Sequence, residues 1–181
     1  MSTLLRLAAF ALLIPAVASA QDGRIQLEIL DKLAARASAK QEISIGPESL
    51  ASVAPSLVPA GPKADAVKQV LAKLRGVFVR NYEFDDPKSR ISMDDFNTIR
   101  KQLTTPGWTR IVSNEEKDKN GNWEVQEIYI FQRDGRTNGI VVLSAEPQEL
   151  SVVNIVGPVE FGDIVALAGV LGIPQIAGLP R

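Results

Sequence analysis

The sequence predicts an α+β domain: an antiparallel sheet ending in a C-terminal four-strand meander, with helices packed against it. Two observations predict it. Between Trp108 and Val159, four apolar segments of strand length follow one another, with turn signals at Asn120-Gly121-Asn122, Asp134-Gly135 and Glu146-Pro147-Gln148-Glu149. Asn-Gly and Asp-Gly suit tight hairpins, whose central residues need positive φ. The second is that helical periodicity is confined to the stretches before and after that run. Helices set apart from consecutive antiparallel strands give an α+β fold rather than a doubly wound one.

The first 20 residues stand apart from the fold. One cation, Arg6, precedes the apolar run Leu7–Val17, and Ala18-Ser19-Ala20 ends it. That is the layout of a signal peptide cleaved after Ala20. A membrane anchor is the competing reading, but Pro15 interrupts the run, which is well short of the roughly 20 residues a spanning helix needs. The chain has no cysteine, so no lipid can be attached to one at a new N-terminus. The expected product is an exported, non-membrane-spanning protein of the periplasm or the extracellular medium. Residues 21–172 then form one domain and 173–181 a loose tail.

In chain order, Asp22 is placed to cap a helix whose apolar positions are Ile25, Ile29, Leu30, Leu33, Ala34 and Ala37. Glu42–Ile45 alternates as a short strand, closed by Gly46-Pro47. Pro47–Leu57 repeats Leu50, Val53, Ala54 and Leu57 at helical spacing, with the proline in the first turn. The proline-rich stretch 55–62 reads as a loop. Ala64–Arg75 carries Val67, Val70, Leu71 and Leu74 on one strip, and Gly76 stops it. Val77–Phe84 is a strand with Phe78, Tyr82 and Phe84 on one side and Val77 and Val79 on the other. Ser92 and Asp95 form a capping box that uses the shorter acid, opening a helix lined by Phe96, Ile99 and Leu103. The meander follows as Trp108–Glu116, Trp123–Gln132, Gly139–Ala145 and Leu150–Val156. Phe161, Ile164, Val165, Ala168 and Leu171 mark a last helical face.

The meander is apolar on both faces. Trp123, Val125, Tyr129 and Phe131 point one way, and Ile128 and Ile130 the other. Val141 and Leu143 oppose Ile140 and Val142, and Val153 and Ile155 oppose Val152 and Val156. A sheet with one wet face alternates more cleanly. The face grouped as Ile128, Ile130, Ile140, Val142, Val152 and Val156 is therefore covered either by the chain's own helices or by another molecule. In the second case it is an interaction face. Glu127, set between Val125 and Tyr129, needs either a place at the sheet margin or a partner such as Arg110 or Arg133.

These residues resemble a known family. A weakly amphipathic first helix leads to a strand with Ile43 and Ile45, and Gly76-Val77-Phe78-Val79-Arg80 follows the Ala64–Arg75 helix. A further helix ends before Trp108, the hairpin contains Ile128-Tyr129-Ile130, and the meander closes on Val152-Val153-Asn154-Ile155-Val156-Gly157. Together they resemble the DUF4252 family of exported bacterial proteins over roughly Ile25 to Leu171. The resemblance implies a signal peptide, often of the lipoprotein kind, followed by one α+β domain. It implies no established activity and no assigned functional residues. Some relatives look to be encoded beside extracytoplasmic-function sigma factors, which implies envelope signalling. The missing cysteine sets this chain apart from the lipoprotein members.

Catalytic equipment is sparse. With no histidine and no cysteine, the chain lacks the usual neutral-pH base, any thiol nucleophile and the ligands of nearly every zinc site. Asp85, Asp86, Asp94 and Asp95 flank one loop, and paired carboxylates can hydrolyse glycosides. Turn chemistry and a helix dipole explain them more simply. Asp118-x-Asn120-x-Asn122 imitates a calcium loop but places Trp123 where glycine belongs and Tyr129 where a bidentate glutamate belongs. Lys and Arg number 20 against 21 Asp and Glu with no basic block, which argues against nucleic acid. The expected function is non-enzymatic, without metal or cofactor. The expected partner is an envelope protein or a second copy, and the alternative is an apolar ligand carried between sheet and helices.

Overall fold

The computed structural model describes residues 22–62, 64–117, 119, 121–160, 162, 163 and 167. The residues of the signal-peptide reading, all five of the last helical face and the tail lie outside this set. A 3-10 turn at Glu28–Leu30 leads into α1 (Asp31–Ala34), β1 (Ala39–Ile45), α2 (Pro47–Leu57), α3 (Ala64–Leu71), β2 (Gly76–Glu83) and α4 (Met93–Gln102). The meander follows as β3 (Trp108–Lys117), β4 (Trp123–Arg133), β5 (Arg136–Glu146) and β6 (Glu149–Val156). All pairings are antiparallel and the order across the sheet is β1-β2-β6-β5-β4-β3. The fold is α+β, as expected. The hairpin between β4 and β5 turns on Asp134 (φ 52°) and Gly135 (φ 71°), the double positive φ of a type I′ turn.

Two apolar clusters sandwich the sheet. One face packs Phe78, Tyr82, Tyr129, Val141, Leu143 and Val152 against Leu30, Leu33, Phe96, Ile99 and Leu103 of α1 and α4 and their flanks. The other packs Val77, Val79, Ile128, Ile140, Val142, Val153 and Ile155 with Leu50 of α2, Val67, Val70 and Leu71 of α3, and Leu74, Val159 and Leu167. The two-sided apolar pattern thus finds its cover within the chain.

The N-terminal segment departs from the expected helix. Gly23, Ile25 and Leu27 are buried while Asp22, Arg24 and Gln26 are exposed, a period of two, and helix begins only at Glu28. The cause lies in β6. Asn154 is fully buried; its Oδ1 accepts from the Ile25 amide at 3.0 Å, and its Nδ2 donates to the Gly23 carbonyl at 2.9 Å and the Ile140 carbonyl at 3.2 Å. Backbone groups held this way cannot enter a helical ladder. Gly23 also crosses Gly139 so closely that a Cβ on Gly139 would lie 2.8 Å from the Gly23 Cα. Asp22 caps nothing; it stands 3.9 Å from Arg133.

Other boundaries shift by less. β1 begins at Ala39, three residues earlier than expected, and α2 runs through Pro55 to Leu57. Pro55 withholds an amide from the Ala51 carbonyl one turn back. α3 ends at Leu71, and Gly76 opens β2 rather than stopping a helix. The capping box is formed: Ser92 Oγ accepts from the Asp95 amide, and Asp95 Oδ2 accepts from the Ser92 amide and hydroxyl. Arg36 also pairs with that carboxylate.

Replacing Asn154 with Ala removes the side-chain partner of the Ile25 amide and of the Gly23 and Ile140 carbonyls. We expect a loss of about 1–3 kcal/mol, read by urea denaturation, with faster amide exchange at Ile25. The Asp95 pKa is a balance: burial works to raise it, while the Ser92 hydrogen bonds and Arg36 lower it further, leaving it below its ordinary value. Its contribution to stability is therefore present above the unfolded value of about 3.9 and is lost as pH falls through the lower folded value. Asp95→Asn should cost about 1 kcal/mol at neutral pH and flatten the acid limb of a stability–pH curve.

Candidate functional site

The six residues grouped as an interaction face do not form one face. Only Pro147 and Gln148 separate β5 from β6, so Glu146 faces Glu149 and Val142 faces Val153. Cross-strand partners share a face. Ile128, Ile140 and Val142 therefore sit with Val153 and Ile155, while Val152 and Val156 lie on the opposite side with Tyr129 and Leu143. Five of the six are buried; Ile130 is half-buried. Counting residues across that turn would have given the correct sides from sequence.

Glu127 is fully buried and holds the centre of a charged cluster. The Arg100 guanidinium donates to both carboxylate oxygens, Nε to Oε2 at 3.1 Å and Nη2 to Oε1 at 3.0 Å. Arg110 Nη1 lies 2.6 Å from Oε1, and the Tyr129 hydroxyl donates to Oε2 at 2.8 Å. Asn97 fixes Arg100 from the side, at 3.0 Å, and the guanidinium lies over the Phe96 ring. Arg110 reaches inward because β3 carries a bulge between Arg110 and Val112, which also leaves Ile111 exposed. Burial, reinforced by the hydrogen bond to Glu127, pushes the Tyr129 hydroxyl up to about 12. The same carboxylate holds the Arg110 proton more tightly than usual. Arg110 was a foreseen partner, whereas Arg100 was not: it lies outside the apolar stripe of α4, and only the docking of α4 on the sheet brings it in.

Every lone pair of Glu127 is thus engaged in structure, and no buried side-chain nitrogen or oxygen among the described residues lacks a partner. Of the four aspartates flanking one loop, Asp86 accepts from the Lys88 amide at 2.9 Å and Asp95 serves the cap, while at Asp85 the backbone amide donates to Ser38 Oγ. No group of three metal-binding side chains is found among the described residues.

What remains open is a groove between α2 and α3, on the outer side of the second cluster. Its volume is about 690 Å³ and it is lined by Pro47, Leu50, Ala51, Ala54, Pro55, Val58, Lys68, Leu71, Ala72 and Leu74. That volume lies within the roughly 300–1,000 Å³ of small-molecule sites. Ala51, Ala54 and Pro55 recur at helical spacing, so the groove wall of α2 is made of small residues, one of which, Ala54, also packs against the second cluster. Small side chains leave space between two helices, and that spacing was legible in the sequence. A smaller cleft of about 330 Å³ at one end of the sheet gathers Asp22, Arg75, Arg133, Asp134, Arg136 and Asn138, and its charges partly neutralise one another.

Among protein families, the domain of unknown function DUF4252 matches over residues 40–167. No curated protein matches the chain. Among solved structures the chain is similar to a protein of unknown function from Pseudomonas aeruginosa, at 12% identity over 79% of this chain and 83% of that one, with a TM-score of 0.35. It is also similar to TP0453, at 12% identity over 77% of this chain and 51% of that one, with a TM-score of 0.21. Neither likeness is close enough to carry an argument.

Removing Arg100 leaves Glu127 buried with one guanidinium. Arg100→Met should therefore destabilise by about 2–3 kcal/mol, somewhat below the loss typical of a broken buried pair because Arg110 remains. Arg110→Met, which forfeits a single bond from a half-exposed side chain, should cost about 1 kcal/mol. Equal losses in thermal or urea unfolding would contradict this assignment.

Proposed function

The chain belongs to the DUF4252 family, and we propose that within it this protein is a binding domain without chemistry of its own, whose α2–α3 groove receives an apolar guest. The groove carries the reading: it is an open concavity of about 690 Å³ with an almost wholly aliphatic lining. Such a surface exposed to water favours an occupant at about 25 cal/mol per Å² of apolar area covered. Docking of an envelope protein or a second copy on the sheet face draws no such support, since five of the residues it would use are buried in the chain's own core.

The setting we propose is the periplasm or the extracellular medium, after cleavage following Ala20. The clasp that Asn154 makes on Gly23 and Ile25 begins three residues beyond that point, so cleavage leaves it whole. Among the described residues no helix is long and apolar enough to cross a membrane. The guest is then a hydrophobe of the cell envelope, and any link to envelope signalling would run through its occupancy.

Filling the groove tests this. Ala51 and Ala72 are exposed on its two walls, so Ala51→Trp and Ala72→Trp occupy it without disturbing the core. Wild type should bind the neutral long-chain alcohol decanol saturably in calorimetry, and each variant should weaken binding about tenfold or more, roughly 1.4 kcal/mol, with an unchanged melting temperature. Absence of saturable binding, or binding indifferent to both tryptophans, would remove the groove from the account.

A further inference from the structure

We propose that the guest is a single-chain anionic amphiphile, its alkyl chain laid along Ala51, Ala54 and Leu71 and its head group held by the Lys68 ammonium. The proposal rests on the groove being a binding site and names what it takes.

The lining decides the chemistry. Among the described residues around the groove, Lys68 is the one charged side chain, and none is aromatic. A ring-shaped guest finds nothing to stack on, whereas a flexible alkyl chain matches a floor of Ala, Leu, Pro and Val. Lys68 sits in the last turn of α3, and its ammonium has no ion pair or hydrogen bond among the described residues. Asp65, one turn earlier on the same helix, makes no ion pair with it. A lysine that lines an apolar groove lays its methylene stem on the apolar surface and carries its charge to the water boundary. That is where the head of an amphiphile lying in an open groove must be. One cation beside an aliphatic trough is complementary to one anion at the end of a chain; a neutral hydrocarbon would leave the charge unused.

Dodecanoate and dodecanol share a chain and differ in charge at the head, so titrating both into the full mature chain at neutral pH separates the claims. Dodecanoate should bind more tightly than dodecanol, and the margin should shrink as salt is raised. Lys68→Gln should weaken dodecanoate about three- to fivefold, the scale of an exposed ion pair, and leave dodecanol unchanged. Lys68→Glu should weaken it further. Ala51→Trp should weaken both. If the two bind equally and Lys68→Gln changes neither, the head-group assignment is wrong and the apolar groove stands. Equal losses for both ligands in Lys68→Gln mean that the lysine acts through its stem, which also overturns the charge assignment. If neither ligand binds saturably, the groove itself fails as a site for such guests.

Discussion

The central position of β6 is the constraint on which the rest depends. Flanked by β2 and β5, it is buried from Leu150 to Val156, and its backbone groups are engaged on both edges by antiparallel neighbours. A strand in that position must have two dry faces, so the sheet must be covered twice. α1 and α4 serve one face and α2 and α3 the other. The element order follows: helical segments are needed before and between the strands, while the meander can close through tight turns.

Among the described residues four polar ones are buried in the sheet, Gln126, Glu127, Ser151 and Asn154, and two of them, Glu127 and Asn154, tie down distant segments that the apolar pattern alone would leave loose. Asn154 gives its side chain to the backbone of the N-terminal segment, across more than a hundred residues of sequence. Glu127 gathers Arg100 from α4 and Arg110 from β3. A buried ion pair is weak evidence for added stability, because desolvation offsets the attraction. Its effect is directional: a guanidinium held on both oxygens sets the angle at which α4 crosses the sheet, which a contact between aliphatic side chains does not. On the second face Ser151 donates to Asn81 of the neighbouring strand, and α2 and α3 meet through small side chains and leave a groove. The Glu127 cluster thus fixes α4 on one face, and the accessible concavity lies on the other.

The closing Val-Asn-Ile-Val-Gly of β6 gains a physical meaning here. Its valines and isoleucine alternate between the two clusters, and its asparagine is the clasp. Gly157 has φ 139°, and a Cβ there would lie 2.9 Å from the Lys73 carbonyl oxygen, where the chain enters β2. Each of these positions is held by packing or hydrogen bonding.

Much of the fold was legible because it is local. The positive-φ turn at Asp134-Gly135, the Ser92–Asp95 cap and the sides of Phe78, Tyr82 and Val79 follow from neighbours within a few residues, and the structure agrees with each, whereas β1 and β5 each begin three residues earlier than expected. The segment from Gly23 to Leu27 misled because its apolar residues fit a helical stripe as well as an extended run; a side chain on β6 decided between them. The grouping of Val152 with Ile128 failed through register, which a count across Pro147-Gln148 could have corrected. By itself the sequence determined the fold class, the two-sided apolar sheet and the absence of histidine and thiol chemistry, since composition and period act at short range. Only the tertiary structure decided that the chain covers both of its own faces, that Arg100 answers Glu127, and that α2 and α3 stand apart beside Lys68. Those depend on which distant segments meet, and a linear pattern carries no distances between them.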